Sequence, residues 1–78
     1  MNSKERIREH VLQEVHEKGK VKDDTLIFKQ GFLDSMGFMV LIAFLDETFG
    51  VKVTDKDMIE ENFESINAIA VFVDDNLA

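Results

Sequence analysis

The fold is decided by residues 34–50, which read DSMGFMVLIAFLDETFG. Asp34 belongs to the residue types that accept hydrogen bonds from the free backbone N–H groups at the start of a helix. Gly50 belongs to the type that most often ends helices, because glycine adopts the left-handed conformation without steric cost. We therefore predict a helix that begins at Ser35 and ends at Phe49.

The predicted helix is apolar nearly all round. One face carries Phe38, Leu41, Ile42, Leu45 and Phe49, which we assign to the core. The other side carries Met36, Met39, Val40 and Ala43, where a surface helix would normally be polar. Such a helix is either buried on all sides or meets a partner, and a domain this small can hardly enclose it. Met39 and Val40 are therefore interpreted either as partner contacts or as core residues.

Residues 3–18 form another predicted helix, with Ser3 as its N-cap and Gly19 just after its end. Its apolar stripe consists of Ile7, Val11, Leu12 and Val15. From Gly19 to Leu33 the chain makes a long connection, and loops of this length are usually functional or tied down. We expect five apolar side chains to hold it against the core, namely Leu26, Ile27, Phe28, Phe32 and Leu33.

Two helices are predicted after Gly50. Thr54 to Asp57 has the form of a capping box, and a short helix is expected from there to about Glu61. Ser65 is the predicted N-cap of a last helix. The stripe of that helix consists of Ile66, Ile69, Ala70, Val73 and Leu77. The predicted fold is all-α, a small bundle of four helices, three longer and one short, in a single domain over residues 1–78.

The composition limits the possible functions. The 78 residues include no cysteine, which excludes disulfides and thiolate metal sites. Residues 1–33 carry seven basic and six acidic groups (+1) and residues 34–78 carry two basic and ten acidic groups (−8), which gives −7 in total. Such a field repels nucleic acid and attracts basic protein surfaces. No apolar run approaches the roughly 18 residues of a membrane span, and the N-terminus has no export signal, so we expect a cytoplasmic monomer.

Enzymatic and metal-binding functions are disfavoured. Ser35 and Gly37 match half of a nucleophile elbow, but Leu33 stands in the place of the first glycine and no strand precedes it. His10 and His16 are about 240° apart on a helix and form no common site. A cluster of acids lacks the alternation and the glycine of a calcium loop, so we interpret it as a solvated helix face. It consists of Asp55, Asp57, Glu60 and Glu61.

Ser35 remains the candidate for chemistry. In the first turn of a helix, a serine stands beside unpaired backbone N–H groups and the positive end of the helix dipole, which is a favourable place for a phosphate. Gly37 would let a partner's backbone approach closely, and Met36 offers an adaptable apolar contact. The alternative is that Ser35 is simply a favourable first-turn residue.

The sequence around Ser35 resembles that of acyl carrier proteins, small acidic helical bundles whose Asp-Ser-Leu motif receives 4′-phosphopantetheine. The motif reads Asp34-Ser35-Met36 here. The segments LDETFGVKV at residues 45–53 and ENFESINAIAVFV at residues 61–73 are also similar to the family. The resemblance is good over the C-terminal two thirds of the chain, whereas the first helix agrees only in type.

The resemblance implies that a phosphopantetheinyl transferase uses coenzyme A to esterify Ser35. The thiol of the attached group would hold an acyl or aminoacyl group as a thioester, so the protein would be a carrier rather than an enzyme. The implied partners are the transferase, a loading ligase and downstream enzymes with basic patches. The residues expected to contact them are Asp34, Met36, Gly37, Met39, Val40, Ala43, Asp46, Glu47 and Glu60.

Two positions depart from the carriers of fatty-acid synthesis, which usually have acids where this sequence has Gly37 and Val40. The GFLDSMG segment at residues 31–37 and its spacing to NFESI at residues 62–66 resemble D-alanyl carriers and other stand-alone bacterial carriers of specialised pathways. The expected role is therefore in a lipid, polyketide or cell-envelope pathway. The alternative is a small acidic adaptor that binds a protein partner through the outer face of the second helix.

Overall fold

The computed structural model describes residues 2–15 and 18–77, and all regular structure in these ranges is helical. The α-helices are α1 (Ser3–Glu14), α2 (Ser35–Phe49), α3 (Glu60–Phe63) and α4 (Ile66–Asn76). Single 3₁₀ turns occupy Lys18–Lys20 and Asp55–Asp57. The predicted class, a small all-α bundle with three longer helices and one short one, is confirmed. None of the helices in the described ranges is long and apolar enough to cross a bilayer.

Helix α1 begins and ends slightly differently from the prediction. Asn2 is the N-cap, because its Oδ1 accepts a hydrogen bond from the Glu5 N–H at 2.9 Å, so the assignment of this role to Ser3 was wrong. The helix ends at Glu14, where Val15 turns to extended backbone and remains buried in the core. The predicted end before Gly19 was therefore also wrong. His16 lies outside the described residues.

The connection between α1 and α2 is held against the bundle, as predicted for Ile27, Phe28, Phe32 and Leu33. The prediction was wrong for Leu26, which is half-buried and does not belong to the core cluster. Ile27 is completely buried, and its N–H donates to the Glu64 carbonyl at 3.0 Å. The Ile27 carbonyl in turn accepts from the Leu33 N–H at 3.1 Å, which closes the end of the connection into a turn. Near the start of the connection, the Asp23 carboxylate accepts two hydrogen bonds of 2.8 Å from the Arg8 guanidinium of α1. This segment therefore delivers the chain to the start of α2 in a fixed position.

Helix α2 has the predicted bounds. Its C-terminal Gly50 adopts a φ of 69°, and the Gly50 N–H donates to the Asp46 carbonyl at 2.8 Å. Leu41 and Leu45 are fully buried against the bundle. The other predicted core residues of this helix, Phe38, Ile42 and Phe49, are half-buried and pack against the core.

The segment between α2 and α4 departs from the prediction. The Asp57 carboxylate accepts from the Thr54 N–H at 3.0 Å, as a capping box requires, but the helical turn stops at Asp57. The Asp57 carbonyl accepts from the Asn62 side chain at 2.8 Å, and Ile59 is extended. A continuous helix to Glu61 was therefore wrong, because α3 starts only at Glu60.

Helix α4 begins at the predicted cap, where Ser65 Oγ accepts from the Ala68 N–H at 3.1 Å. Its buried residues are Ile66, Ile69, Ala70, Phe72 and Val73. Leu77 was wrongly placed in this stripe, because α4 ends at Asn76 and Leu77 is 51% exposed. Phe72, which the prediction omitted, packs on Phe63 with ring centroids 5.1 Å apart.

The core is one cluster to which every α-helix and the first connection contribute. A row of four rings runs through it, with centroids 5.5, 5.4 and 5.1 Å apart in successive pairs. The rings belong to Phe28, Phe38, Phe63 and Phe72. Because these residues come from the connection, α2, α3 and α4 in that order, the row fixes the N-terminal half of α2 against α3.

Candidate functional site

The N-terminus of α2 is organised by Asp34. The Asp34 Oδ1 accepts from the Gly37 N–H at 2.9 Å, and the Asp34 carbonyl accepts from the Phe38 N–H at 2.9 Å. The second bond is the first one within the helix, so the cap satisfies one of the N–H groups that a helix start leaves unpaired, that of Gly37. The N–H groups of Ser35 and Met36 have no acceptor among the described residues. They therefore remain available to an acceptor from outside the chain.

Ser35 is exposed in the first turn of α2, as predicted. Its hydroxyl makes no hydrogen bond to another described group. The sequence contains two other serines, and both are engaged: Ser3 donates to the Asp74 carboxylate, and Ser65 is buried as the cap of α4. Ser35 is therefore the serine whose hydroxyl is both exposed and without a hydrogen bond among the described residues.

Gly37 packs against residues of its own chain at the start of α2. It is buried, and a Cβ added to it would lie 3.1 Å from Leu33 Cδ2 and 3.5 Å from Asp34 Oδ1. The distance to Leu33 Cδ2 is shorter than an ordinary van der Waals contact. The missing side chain therefore makes room for Leu33 beneath the helix start. The predicted reason for this glycine, close approach of a partner's backbone, was wrong.

An open groove of about 510 Å³ runs beside Ser35, between α2 and the segment that leads into α3. Its lining is mostly apolar and consists of Phe28, Leu33, Asp34, Ser35, Phe38, Met39, Met58, Ile59, Glu60 and Phe63. The aromatic members belong to the core row of rings, so the floor of the groove is rigidly packed. A group attached to Ser35 Oγ can therefore lie along this groove or extend away from it.

The outer face of α2 is exposed, which excludes the interpretation of Met39 and Val40 as core residues. Met36, Met39 and Val40 are 75%, 63% and 41% exposed, so they are not core residues. Ala43 is exposed as well. Across the groove, Met58 and Ile59 are exposed too, and neither was predicted as a site residue. A signal was present: two apolar residues follow the acidic run TDKD at residues 54–57, which is itself solvated.

The acids expected to meet basic partners are mostly engaged or distant. Lys52 Nζ lies 3.1 Å from the Asp46 carboxylate, and Lys29 Nζ lies 3.8 Å from that of Glu60. Asp46 and Glu47 lie in the last turn of α2, and the helical rise from Ser35 to Asp46, eleven positions later, is roughly 17 Å. Of the predicted acids, the structure brings Asp34 and Glu60 to the groove beside Ser35, but not Asp46 or Glu47.

His10 lies apart from this site. Its ring stacks on Phe44 with centroids 4.2 Å apart and joins α1 to α2. Its Nε2 is buried without a hydrogen-bond partner, and burial lowers the pKa of His10. Neither residue of this pair lines the groove beside Ser35. Within residues 2–15 and 18–77, no three His, Asp or Glu side chains are grouped so as to hold a metal ion.

The comparisons with known proteins give a family for most of the chain. A family model described as a phosphopantetheine attachment site matches residues 5–73, which include Ser35 and every residue that lines the groove. The match extends over most of the 78 residues and over all four α-helices except the first two residues of α1 and the last three of α4. A comparison with curated proteins gives no match.

Proposed function

The chain belongs to the family of phosphopantetheine attachment sites, and from this membership we propose that Ser35 is the residue that carries the group. The family is one of carrier domains, and the group is 4′-phosphopantetheine held covalently. The observation that carries the proposal is the state of the Ser35 hydroxyl, which is exposed and unbonded while those of Ser3 and Ser65 are engaged.

The residues around Ser35 fit a phosphodiester. The unpaired N–H groups of Ser35 and Met36, together with the positive end of the α2 dipole, favour a negative charge beside Ser35 Oγ. Asp34 is occupied by the Gly37 N–H, so its carboxylate is held at the side of the helix start. The bound group supplies a terminal thiol that this cysteine-free chain lacks, and the thiol carries cargo as a thioester.

The proposed role is to carry an acyl or aminoacyl group between pathway enzymes, without catalysis by the chain itself. Partners of this role are a phosphopantetheinyl transferase, a loading ligase and the enzymes that use the cargo. Gly37 and Val40, which replace the acids usual in fatty-acid-synthase carriers, favour a cytoplasmic carrier of a specialised pathway, of the D-alanyl or a related type. Lipid, polyketide and cell-envelope pathways are the candidates.

Modification of the purified protein tests this proposal. The apo-protein is incubated with a phosphopantetheinyl transferase and coenzyme A, and the intact mass is measured. We expect the wild type to gain the mass of one phosphopantetheine and Ser35→Ala to gain nothing. Ser3→Ala is the matched control, because Ser3 is a serine in the first turn of another helix, and it should be modified like the wild type. Modification of Ser35→Ala would refute the assignment.

A second candidate function is that of a small acidic adaptor. The exposed Met36, Met39 and Val40 support it, because an apolar helix face on a small domain is typical of a protein contact. Ser35→Ala and Met39→Asp, tested for function in the cell, distinguish the two candidates. An adaptor would tolerate Ser35→Ala and lose its function with Met39→Asp, whereas a carrier loses its function with Ser35→Ala.

A further inference from the structure

We propose that the cargo held on Ser35 is a short acyl or aminoacyl group, the size of acetyl to butyryl, and not a long alkyl chain. The inference rests on the proposed function, since it takes Ser35 as the residue that carries the arm. The interior beneath Ser35 sets the limit, because closely packed side chains occupy the space that a long chain would need. The residues that close this interior are the four rings of the core row, Phe28, Phe38, Phe63 and Phe72.

The groove beside Ser35 ends on the row of rings. Phe28, Phe38 and Phe63 line the groove, and their centroids are 5.5 and 5.4 Å apart in edge-to-face pairs. Rings at these distances are in direct contact, so an alkyl chain passes between them only if they separate. Behind them, Phe63 packs on Phe72 with centroids 5.1 Å apart. The floor of the groove is therefore closed toward the core.

A second hollow, of about 390 Å³, lies beside Met36, Gly37 and Val40 at the start of α2. Leu33 belongs to its lining and is only 6% exposed. Leu33 packs so closely under Gly37 that a Cβ added to the glycine would lie 3.1 Å from Leu33 Cδ2. This hollow therefore also ends on packed side chains.

The core behind these two floors is filled. Leu41 and Leu45 of α2 and Ile69 of α4 are 0% exposed, so no space as large as a water molecule adjoins them. Methylenes inserted into a core packed in this way force side chains off their rotamers and shift the backbone, which is unfavourable. A long chain would therefore have to push the helices apart.

Hydrogen bonds oppose such a separation. The Ile27 N–H donates to the Glu64 carbonyl at 3.0 Å, and the Asn67 N–H of α4 donates to the Asp23 carbonyl at 2.9 Å. These two bonds join the first connection to the end of α3 and to the start of α4. A chain that entered between the helices would break the ring contacts of Phe63 while these bonds hold the neighbouring segments in place.

Cargo that stays outside the core remains in contact with water. Both hollows near Ser35 are open, and an open groove covers only one side of a chain that lies in it. The unfavourable free energy of an exposed alkyl chain grows with each methylene. A short group adds little apolar surface, whereas a long chain would remain largely unshielded on this protein. The packing therefore suits a short cargo.

The test compares the wild type loaded with a butyryl and with an octanoyl group. A phosphopantetheinyl transferase transfers the acylated arm from the corresponding acyl coenzyme A, and the midpoint of thermal unfolding is measured for each form. We expect the two midpoints to differ by less than about 2 °C, because an unburied chain adds no contact to the folded state. The methyl chemical shifts of Leu41, Leu45 and Ile69 should be the same in both forms. A midpoint at least about 5 °C higher for the octanoyl form, with shifted methyl signals, would overturn the inference.

Removal of one ring tests whether the row closes the core. Phe63→Ala should leave an apolar cavity at the floor of the groove, and an octanoyl chain that fills it should raise the midpoint at least about 3 °C above that of the butyryl form. Phe63→Leu takes its place if Phe63→Ala does not fold. The same substitution at Phe44 is the matched control, because Phe44 is a ring of α2 outside the row and does not line the groove. The control should respond like the wild type. A Phe63 variant that also responds like the wild type would show that the row does not close the core, and the inference would be wrong.

Failure of the proposed function gives a different result. If the intact mass shows that the wild type takes neither acylated arm, or that Ser35→Ala takes one, the proposed function fails. If the wild type is loaded at Ser35 and its octanoyl form is stabilised, the inference about the cargo fails and the proposed function stands.

Discussion

Helices α2 and α4 are both rich in apolar residues, but they use them differently. Helix α4 buries five of its eleven residues, including Ile66, Ile69 and Val73, and contributes more buried side chains to the core than any other helix. Helix α2 is longer, at 15 residues, yet buries only Gly37, Leu41 and Leu45. Its remaining apolar surface includes the exposed methionines beside Ser35. The comparison shows that α4 contributes mainly to the core, whereas α2 leaves large apolar side chains exposed beside Ser35.

Large-to-small substitutions test this division most strongly. Ile69→Ala removes a fully buried side chain of α4 and should lower the free energy of unfolding by about 2–5 kcal/mol. Met39→Ala removes a mostly exposed side chain of α2. It should change the free energy of unfolding by less than about 0.5 kcal/mol. Urea unfolding measures both. If Ile69→Ala prevents folding, Ile69→Val should still cost about 0.5–1.5 kcal/mol.

A large loss of stability with Met39→Ala would contradict the comparison, because Met39 would then contribute to the core. An unchanged free energy of unfolding with Ile69→Ala would also contradict the comparison, because α4 would then contribute little to the core.

The helix caps should make similar contributions in the two helices. Asp34→Ala and Ser65→Ala each remove one side-chain acceptor, for the Gly37 N–H and the Ala68 N–H, and should each cost about 1 kcal/mol. Asp34→Asn is the matched control, because it keeps the Oδ1 acceptor and should lose less than half as much. The measurement is again urea unfolding. If Asp34→Ala has no effect, packing and not the cap determines where α2 begins.

Helix α2 could be predicted from the sequence because both of its ends have local signals, Asp34 before the first residue and Gly50 after the last. The last helix was predicted equally well at its start, where Ser65 caps it. The position of Ser35 at the site follows from the same local signals. These parts of the fold depend on residues that are close together along the chain.

Other features depend on residues that are distant along the chain, and the sequence did not reveal them. The close packing at Gly37 comes from Leu33, which lies beneath the helix only after the connection has folded back. The pairing of Glu60 with Lys29 likewise joins two separate segments. Met58 and Ile59 were missed because a short helix was expected there, whereas Asn62 binds the Asp57 carbonyl and α3 begins later.

Two contacts of α1 should respond to acid in different pH ranges, namely that of His10 with α2 and that of Arg8 with Asp23 in the first connection. The His10 ring joins α1 to α2 at Phe44, and burial lowers its pKa below the ordinary value of 6.5. The folded state therefore disfavours the proton, so stability from this contact is complete above pH 6.5 and falls as the pH drops toward the lowered pKa. Because the ring is only partly buried, the loss should be smaller than that of a helix cap.

Asp23 gives the contrasting pH range. The hydrogen bond that its carboxylate accepts from Arg8 of α1 lowers the pKa of the Asp23 carboxyl below 3.8. This contribution to stability is present above pH 3.8 and is lost only as the pH falls through the lowered pKa. Unfolding followed from pH 7.5 to 5 should show a decline that His10→Phe removes, while Asp23→Asn leaves it in place. A decline that persists in His10→Phe would assign it to other groups.

The smallest expected effects concern the ion pair at the C-terminal end of α2. Asp46 lies in the last turn, where a negative charge is disfavoured by the helix dipole, and Lys52 offsets that charge from 3.1 Å away. Asp46→Asn removes both the pair and the unfavourable charge, so the free energy of unfolding should change by less than about 0.5 kcal/mol.

Lys52→Ala breaks the same pair but leaves the Asp46 charge uncompensated at the helix end. It should therefore destabilise the protein more than Asp46→Asn does, by up to about 1 kcal/mol at low salt, and the difference should shrink as salt is added. The double variant should match Asp46→Asn, because without the carboxylate the lysine has nothing to offset. Equal losses in the two single variants would mean that the pair acts through its contact geometry and not through the dipole of α2.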